Sequence, residues 1–118
     1  MEKKILLQWK RDGQPMTDEL TIRFSMAVEI AYEDISGEPF SFDGLSKKKN
    51  LIALYEAAII TANKEPKVTV DDLLLWLDNE QLMKIDNAIS ECMREWMHIP
   101  AVMQDETDAG QEETSEKK

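Results

Sequence analysis

The sequence predicts a mainly α fold: a compact bundle of three to four helices with a short N-terminal β-hairpin and a disordered acidic C-terminal tail. Three observations carry this. Apolar residues recur at three- and four-residue spacing over several capped segments, which is the signature of amphipathic helices. Residues 4–10 and 19–24 alternate instead, on either side of a Gly-Pro turn signal. Beyond Met103 the composition becomes acidic, small and polar, which cannot bury enough apolar surface to fold alone. The domain is therefore read as residues 1–103 and the tail as 104–118.

Over residues 4–10, Ile5, Leu7 and Trp9 share one side, and over 19–24, Leu20, Ile22 and Phe24 do the same. Asp12-Gly13-Gln14-Pro15 marks the turn, and the polar run that follows predicts a long loop over 12–18. An isolated two-stranded hairpin is marginal in water, so it must pack on helices. A first helix is expected over 25–36, with Phe24, Ala27, Val28, Ala31, Tyr32 and Ile35 on one face. Gly37 supplies the left-handed cap and Pro39 blocks continuation. Met26 and Ile30 fall on the opposite face and imply a second contact.

A second helix is expected over 47–62 with Ser46 as N-cap. Leu51, Leu54, Tyr55, Ala58, Ile59 and Ala62 form a stripe that Ala53, Ala57 and Ile60 widen, which marks the central helix. Thr69 caps a short third helix over 70–77, with Asp71 and Asp72 in its first turn. Asp78 starts a fourth over 79–98, with Gln81 placed for a variant capping box. Its apolar residues Leu82, Ile85, Ile89, Cys92, Met93, Trp96 and Met97 fall within an arc of roughly 140° at 100° per residue.

With 118 residues the chain has room for one domain. Its formal charge is −10, and residues 104–118 carry −4 of it, leaving −6 on the body. That balance argues against nucleic-acid binding, which needs clustered Lys and Arg. Leu73-Leu74-Leu75-Trp76-Leu77 is the longest apolar run, far short of the ~20 residues of a membrane span. The start resembles an export signal, but Gln8, Lys10, Arg11 and Asp12 cut its apolar stretch short, so a cytoplasmic location is expected.

The chemistry of catalysis is sparse. Cys92 and His98 are the only residues of their types and diverge by about 120° on one helix, so no thiolate–base pair is expected. Cys92 reads as a buried structural thiol and His98 as a helix-end residue. The acids are scattered or sit in the tail, the adjacent pairs Glu33-Asp34, Asp71-Asp72 and Asp105-Glu106 would diverge on a helix, and no glycine-rich phosphate loop is present. The expectation is a non-enzyme with no cofactor, no metal site, and no nucleic-acid or membrane partner.

Two clusters are candidate partner-binding residues. Lys47, Lys48 and Lys49 oppose the dipole at a helix start at a cost of about 1 kcal/mol. The bland reading is a solvated helix edge; the functional one is a basic spot for an acidic partner or for the protein's own tail. Met93, Trp96, Met97 and Ile99 gather near the end of the last helix. Core packing is the simpler reading, and an adaptable Met-rich binding face is the other.

The order of elements resembles the tail assembly chaperones of long-tailed bacteriophages and prophages. The resemblance covers residues 21–100. It rests on Ile22-Arg23-Phe24, the following helix with Tyr32-Glu33-Asp34, its close on Ser36-Gly37-Glu38-Pro39-Phe40, the apolar helix over 51–62, and Val68-Thr69-Val70-Asp71-Asp72-Leu73 before a final amphipathic helix. The lysine triplet is not part of it. It implies binding of the aggregation-prone tape measure protein, contact with tail tube subunits, possible homo-oligomerisation, and residence in the bacterial host cytoplasm. It also implies a minor form extended by frameshifting, for which the codons of Lys117-Lys118 are a candidate slip site. Competing readings are a structural tail-completion or connector protein and an acidic protein-binding regulator.

Overall fold

In the computed structural model, which describes residues 1–98, two strands and four helices follow one another: β1 (Glu2–Arg11), β2 (Gln14–Arg23), α1 (Met26–Ser36), α2 (Lys48–Ala62), α3 (Val70–Leu75) and α4 (Asn79–Trp96). The expected fold class holds, with an N-terminal antiparallel hairpin followed by helices. The expectation of a disordered tail over 104–118 lies outside the described residues.

The hairpin is longer and its turn tighter than the sequence suggested. Asp12 and Gly13 alone make the turn, with φ of 54° and 80°. Two positive φ values are what a type I′ turn requires, and its twist matches that of the strands. Arg11 then pairs with Gln14 and Lys10 with Pro15, so the supposed loop is the first half of β2. Pro15 is tolerated because its register position is a non-hydrogen-bonded pair, where the missing N–H would point away from the partner strand. The polar run there hid the strand, since only Met16 adds an apolar side chain to the inner face.

That inner face carries Ile5, Leu7, Trp9, Leu20 and Ile22. Leu7 and Ile22 are fully buried under the helices. α4 packs on both strands, α2 on β2, and α1 on α2. The register explains how the free edges are satisfied. Backbone groups of the non-hydrogen-bonded pairs point outward from both edges, and buried ones need partners. On β1, the Gln8 amide donates to Gln81 Oε1 (3.0 Å) and the Leu6 carbonyl accepts from Lys84 Nζ (3.0 Å). On β2, Asn63 takes both groups of Thr21: its Oδ1 accepts from the amide and its Nδ2 donates to the carbonyl, each at 2.9 Å.

The helix limits follow local chemistry. Gly37 ends α1 at φ 76°, donating to the Glu33 carbonyl. Phe40 then folds back onto Tyr32 and Phe24, with ring centroids at 5.4 and 5.8 Å. The face of α1 is narrower than expected: Val28 and Tyr32 are buried, while Ala27 and Ile35 are exposed. Ser46 does not cap α2. It closes a 3₁₀ turn (Gly44–Ser46), and Lys47 occupies the N-cap without a side-chain bond. α3 ends at Leu75, short of Leu77. α4 ends at Trp96, and His98 turns left-handed at φ 57°. Asp78 caps α4 by accepting from the Gln81 amide, and the Gln81 side chain goes to β1 instead of completing a capping box.

Asp72 joins the two ends of the chain's logic. It completes a capping box with Thr69, and it is 1% exposed. Its carboxylate also accepts from Arg11, Nε to Oδ1 at 2.8 Å and Nη2 to Oδ2. Arg11 is the last inner-face residue of β1, so the pair ties the hairpin tip to α3. The Arg11 guanidinium first, and then the Thr69 bonds, hold the Asp72 carboxyl below the usual carboxylate range despite its burial. A depressed folded-state value means that the stability is present above the unfolded pKa of about 4 and lost as pH falls through the folded one. Asp72→Asn should therefore cost about 2 kcal/mol at neutral pH by urea unfolding, since a charge-assisted bond to a half-exposed arginine is lost. The gap between variant and parent should close as the pH drops below 4; a gap that persists unchanged would contradict the assignment.

Candidate protein-binding surface

The sequence-predicted site residues divide into two groups that the fold keeps apart. Met93 and Met97 are half-buried and packed against the core. Trp96 is 40% exposed, and its Nε1 donates to Glu29 Oε2 at 3.2 Å, in the first turn of α1. Ile99 lies outside the described residues. Lys47 and Lys49 both approach Glu38 just past the other end of α1, with Nζ–Oε2 distances of 3.5 and 3.6 Å. The tryptophan and the lysines thus stand at opposite ends of α1 and do not form one site.

The lysine end is locally organised. Glu38 Oε1 accepts from Asn50 Nδ2 at 3.0 Å, and Asn50 Nδ2 also donates to the Gly44 carbonyl. The Asn50 bond, then the nearby Lys47 and Lys49 charges, lower the Glu38 pKa. Lys48 is exposed and makes no ion pair among the described residues.

A surface that the sequence reading missed lies on α3 and the outer side of α2. Leu73-Leu74-Leu75-Trp76-Leu77 is too continuous for one helical face. Leu73 and Leu77 turn inward, while Leu74 and Leu75 are 59% and 70% exposed and Trp76 is 39% exposed. Beside Leu74 a hollow of 280 Å³ is lined by Ile35, Ile52, Ala53, Glu56 and Val70, with Lys49 at one end. A second, of 300 Å³, continues past Glu56 and Val70 to Ile59, Ile60 and Leu73. Ile60 is 49% exposed. The two hollows form a groove along α2 with α1 and α3 as walls. Its signal in the sequence was the excess of apolar residues around α2, which exceeds what a single inward face needs. Beyond Trp76, a cleft of 480 Å³ at the hairpin tip includes Trp9, Pro15 and Met16.

Comparisons with protein-family models, curated proteins and solved structures find no match to this chain. The surface must therefore be interpreted by its own chemistry. Among the described residues, no three His, Cys, Asp or Glu side chains gather to hold a metal ion, and no helix is long and apolar enough to cross a membrane. Tyr55 donates to Asp86 Oδ1 at 2.8 Å between α2 and α4, and burial first, then that carboxylate, pushes its pKa upward. Cys92 is 2% exposed with Sγ 3.5 Å from the Ile22 carbonyl. Burial raises its pKa, which leaves it a poor nucleophile.

Cys92 should accordingly resist a thiol reagent in the native protein, reacting about a hundredfold more slowly than in denaturant, because modification requires opening of the fold. Mass spectrometry of timed iodoacetamide reactions measures this. Labelling at the denatured rate under native conditions would refute the burial.

Proposed function

We propose that the protein is a tail assembly chaperone of a long-tailed phage or prophage, which binds the tape measure protein and keeps it in solution before the tail tube polymerises. The observation that carries this reading is the apolar surface of α3 and α2. Leu74, Leu75 and Trp76 are exposed in succession beside an apolar groove. A holding protein must offer apolar area to helical segments of its client, and a groove between helices is the usual means. A contiguous exposed patch of this kind is characteristic of interaction sites. The net charge of −10 favours solubility while that area remains uncovered.

The order of elements supports the same reading through its resemblance to these chaperones. Catalytic turnover forms no part of the proposal. Binding of tail tube subunits and self-association through the last helix belong to it as further contacts.

Coexpression with a phage tape measure protein tests the proposal. The tape measure protein should move from the pellet to the supernatant with this chain and remain insoluble without it, and purified virions should lack this chain by mass spectrometry. Recovery at fixed stoichiometry in the virion would favour the connector reading. Binding that collapses when salt rises from low to molar concentration would favour the acidic regulator, since apolar contacts survive screening.

A further inference from the structure

The groove along α2 has a polarity that defines its occupant more closely. From Lys49 to Ile60 it runs about 17 Å, the rise of three helical turns. Its walls are apolar: Ile35 from α1, Ile52 and Ile60 from α2, Val70 and Leu74 from α3. Charge occurs at two places. At the start of α2 stand Lys47, Lys48 and Lys49, countered only by Glu38 among the ion pairs of the described residues. The N-cap there gives no side-chain bond, and the first turn of α2 contains no acid. α1, α3 and α4 each have a carboxylate in their first turn. Dipole and lysines therefore add, in a chain whose total charge is strongly negative. The second place is Glu56, seven residues further along α2, which lines both hollows and makes no ion pair among the described residues.

We propose that this groove binds a single amphipathic helix of another protein, with carboxylates over the lysine end of α2 and a cationic side chain against Glu56. This rests on the reading of the protein as a binder of helical clients and adds the chemical pattern of the bound segment. Apolar residues at i, i+3 or i+4 and i+7 would enter the hollows. Lys49 and Glu56 are about 10 Å apart along the axis, so the partner's acid and base should be spaced by about two turns. The exposed pair of Lys49 with Glu38 contributes little, so it can exchange for a partner carboxylate at small cost. The fixed charges orient the partner, because the reversed helix would place its base on the lysines and its acid on Glu56.

Titration of the full-length protein with two stapled helical peptides, followed by ¹⁵N NMR, tests this. The first carries leucines on one face, two glutamates at one end and an arginine two turns away. The second has glutamine in place of both glutamates and the arginine. The first peptide should shift the amides of Ile52, Ile60 and Leu74 and bind about tenfold more tightly than the second, a difference near 1.4 kcal/mol. Leu74→Glu should weaken it at least tenfold, and Lys48→Glu severalfold. Ile60→Ser provides an independent groove variant in case Leu74→Glu disturbs folding.

Equal affinity for the two peptides, no detectable binding of either, or indifference to both groove variants would overturn the proposal. Binding that arises only after residues 99–118 are removed would identify the chain's own acidic segment as the occupant and likewise overturn it. So would a dimer seen by ultracentrifugation that Leu74→Glu dissociates, since the occupant would then be a second copy. None of these results depends on whether a tape measure protein is held soluble, so failure here leaves the coexpression result free to stand or fall.

Discussion

Two strands alone cannot hold themselves together in water, and the rest of this structure answers that constraint. A hairpin of ten-residue strands leaves an unpaired edge on each side. Three side chains from the helical layer bond to part of each edge: Gln81 and Lys84 on β1, Asn63 on β2. Each reaches a backbone group that the register turns outward. Asn63 mimics an additional strand residue at Thr21, accepting from its amide and donating to its carbonyl. The Arg11–Asp72 pair then fastens the hairpin tip to α3, and Lys3 reaches Glu91 on α4 at 2.8 Å.

This arrangement decides which apolar surface is used up. The hairpin packs on α2 and α4, whose Ala57, Ala58, Ile85 and Ile89 are buried in the same core as its inner face. α1 packs on α2 as well, with Val28 and Tyr32 buried in the core. α3 is only six residues long and is held at its start by Asp72 and Thr69, so it buries Leu73 and must present Leu74 and Leu75 outward. The open groove thus follows from a short helix pinned at one end beside an α2 that is apolar on more sides than its neighbours cover. In the proposed function, that uncovered area is the part available to a client.

Much of the fold was legible in the sequence because the signals were local. Gly37, Thr69 and Asp78 mark helix limits through their own backbone chemistry, and the stripe of α4 follows its 3.6-residue period through Ile85, Ile89 and Cys92. The errors arose where a local signal was weak or a distant partner decided. Asp12-Gly13 suffices as a turn, but the polar residues after it concealed the continuation of β2. Ser46 looked like a cap, yet the 3₁₀ turn claimed it. Asp72 read as a dipole partner, and its bond to Arg11, 61 residues away, had no sequence signature. Of the candidate site, Trp96 and Lys48 are exposed, whereas Met93 and Met97 lean on the core. The α2 groove was missed because its walls come from three separate elements, and no single helical period encodes such a concavity.

The central claim is that helical side chains, by bonding to both strand edges, make hairpin and helices one cooperative unit. Native-state hydrogen exchange of the Gln8 and Thr21 amides measures this directly. Both should exchange as slowly as the Ala58 amide at the centre of α2, through global unfolding alone, and Asn63→Ala should release Thr21 while sparing Gln8. Exchange of these two amides in the intact protein at the rate of an open strand edge would contradict the account.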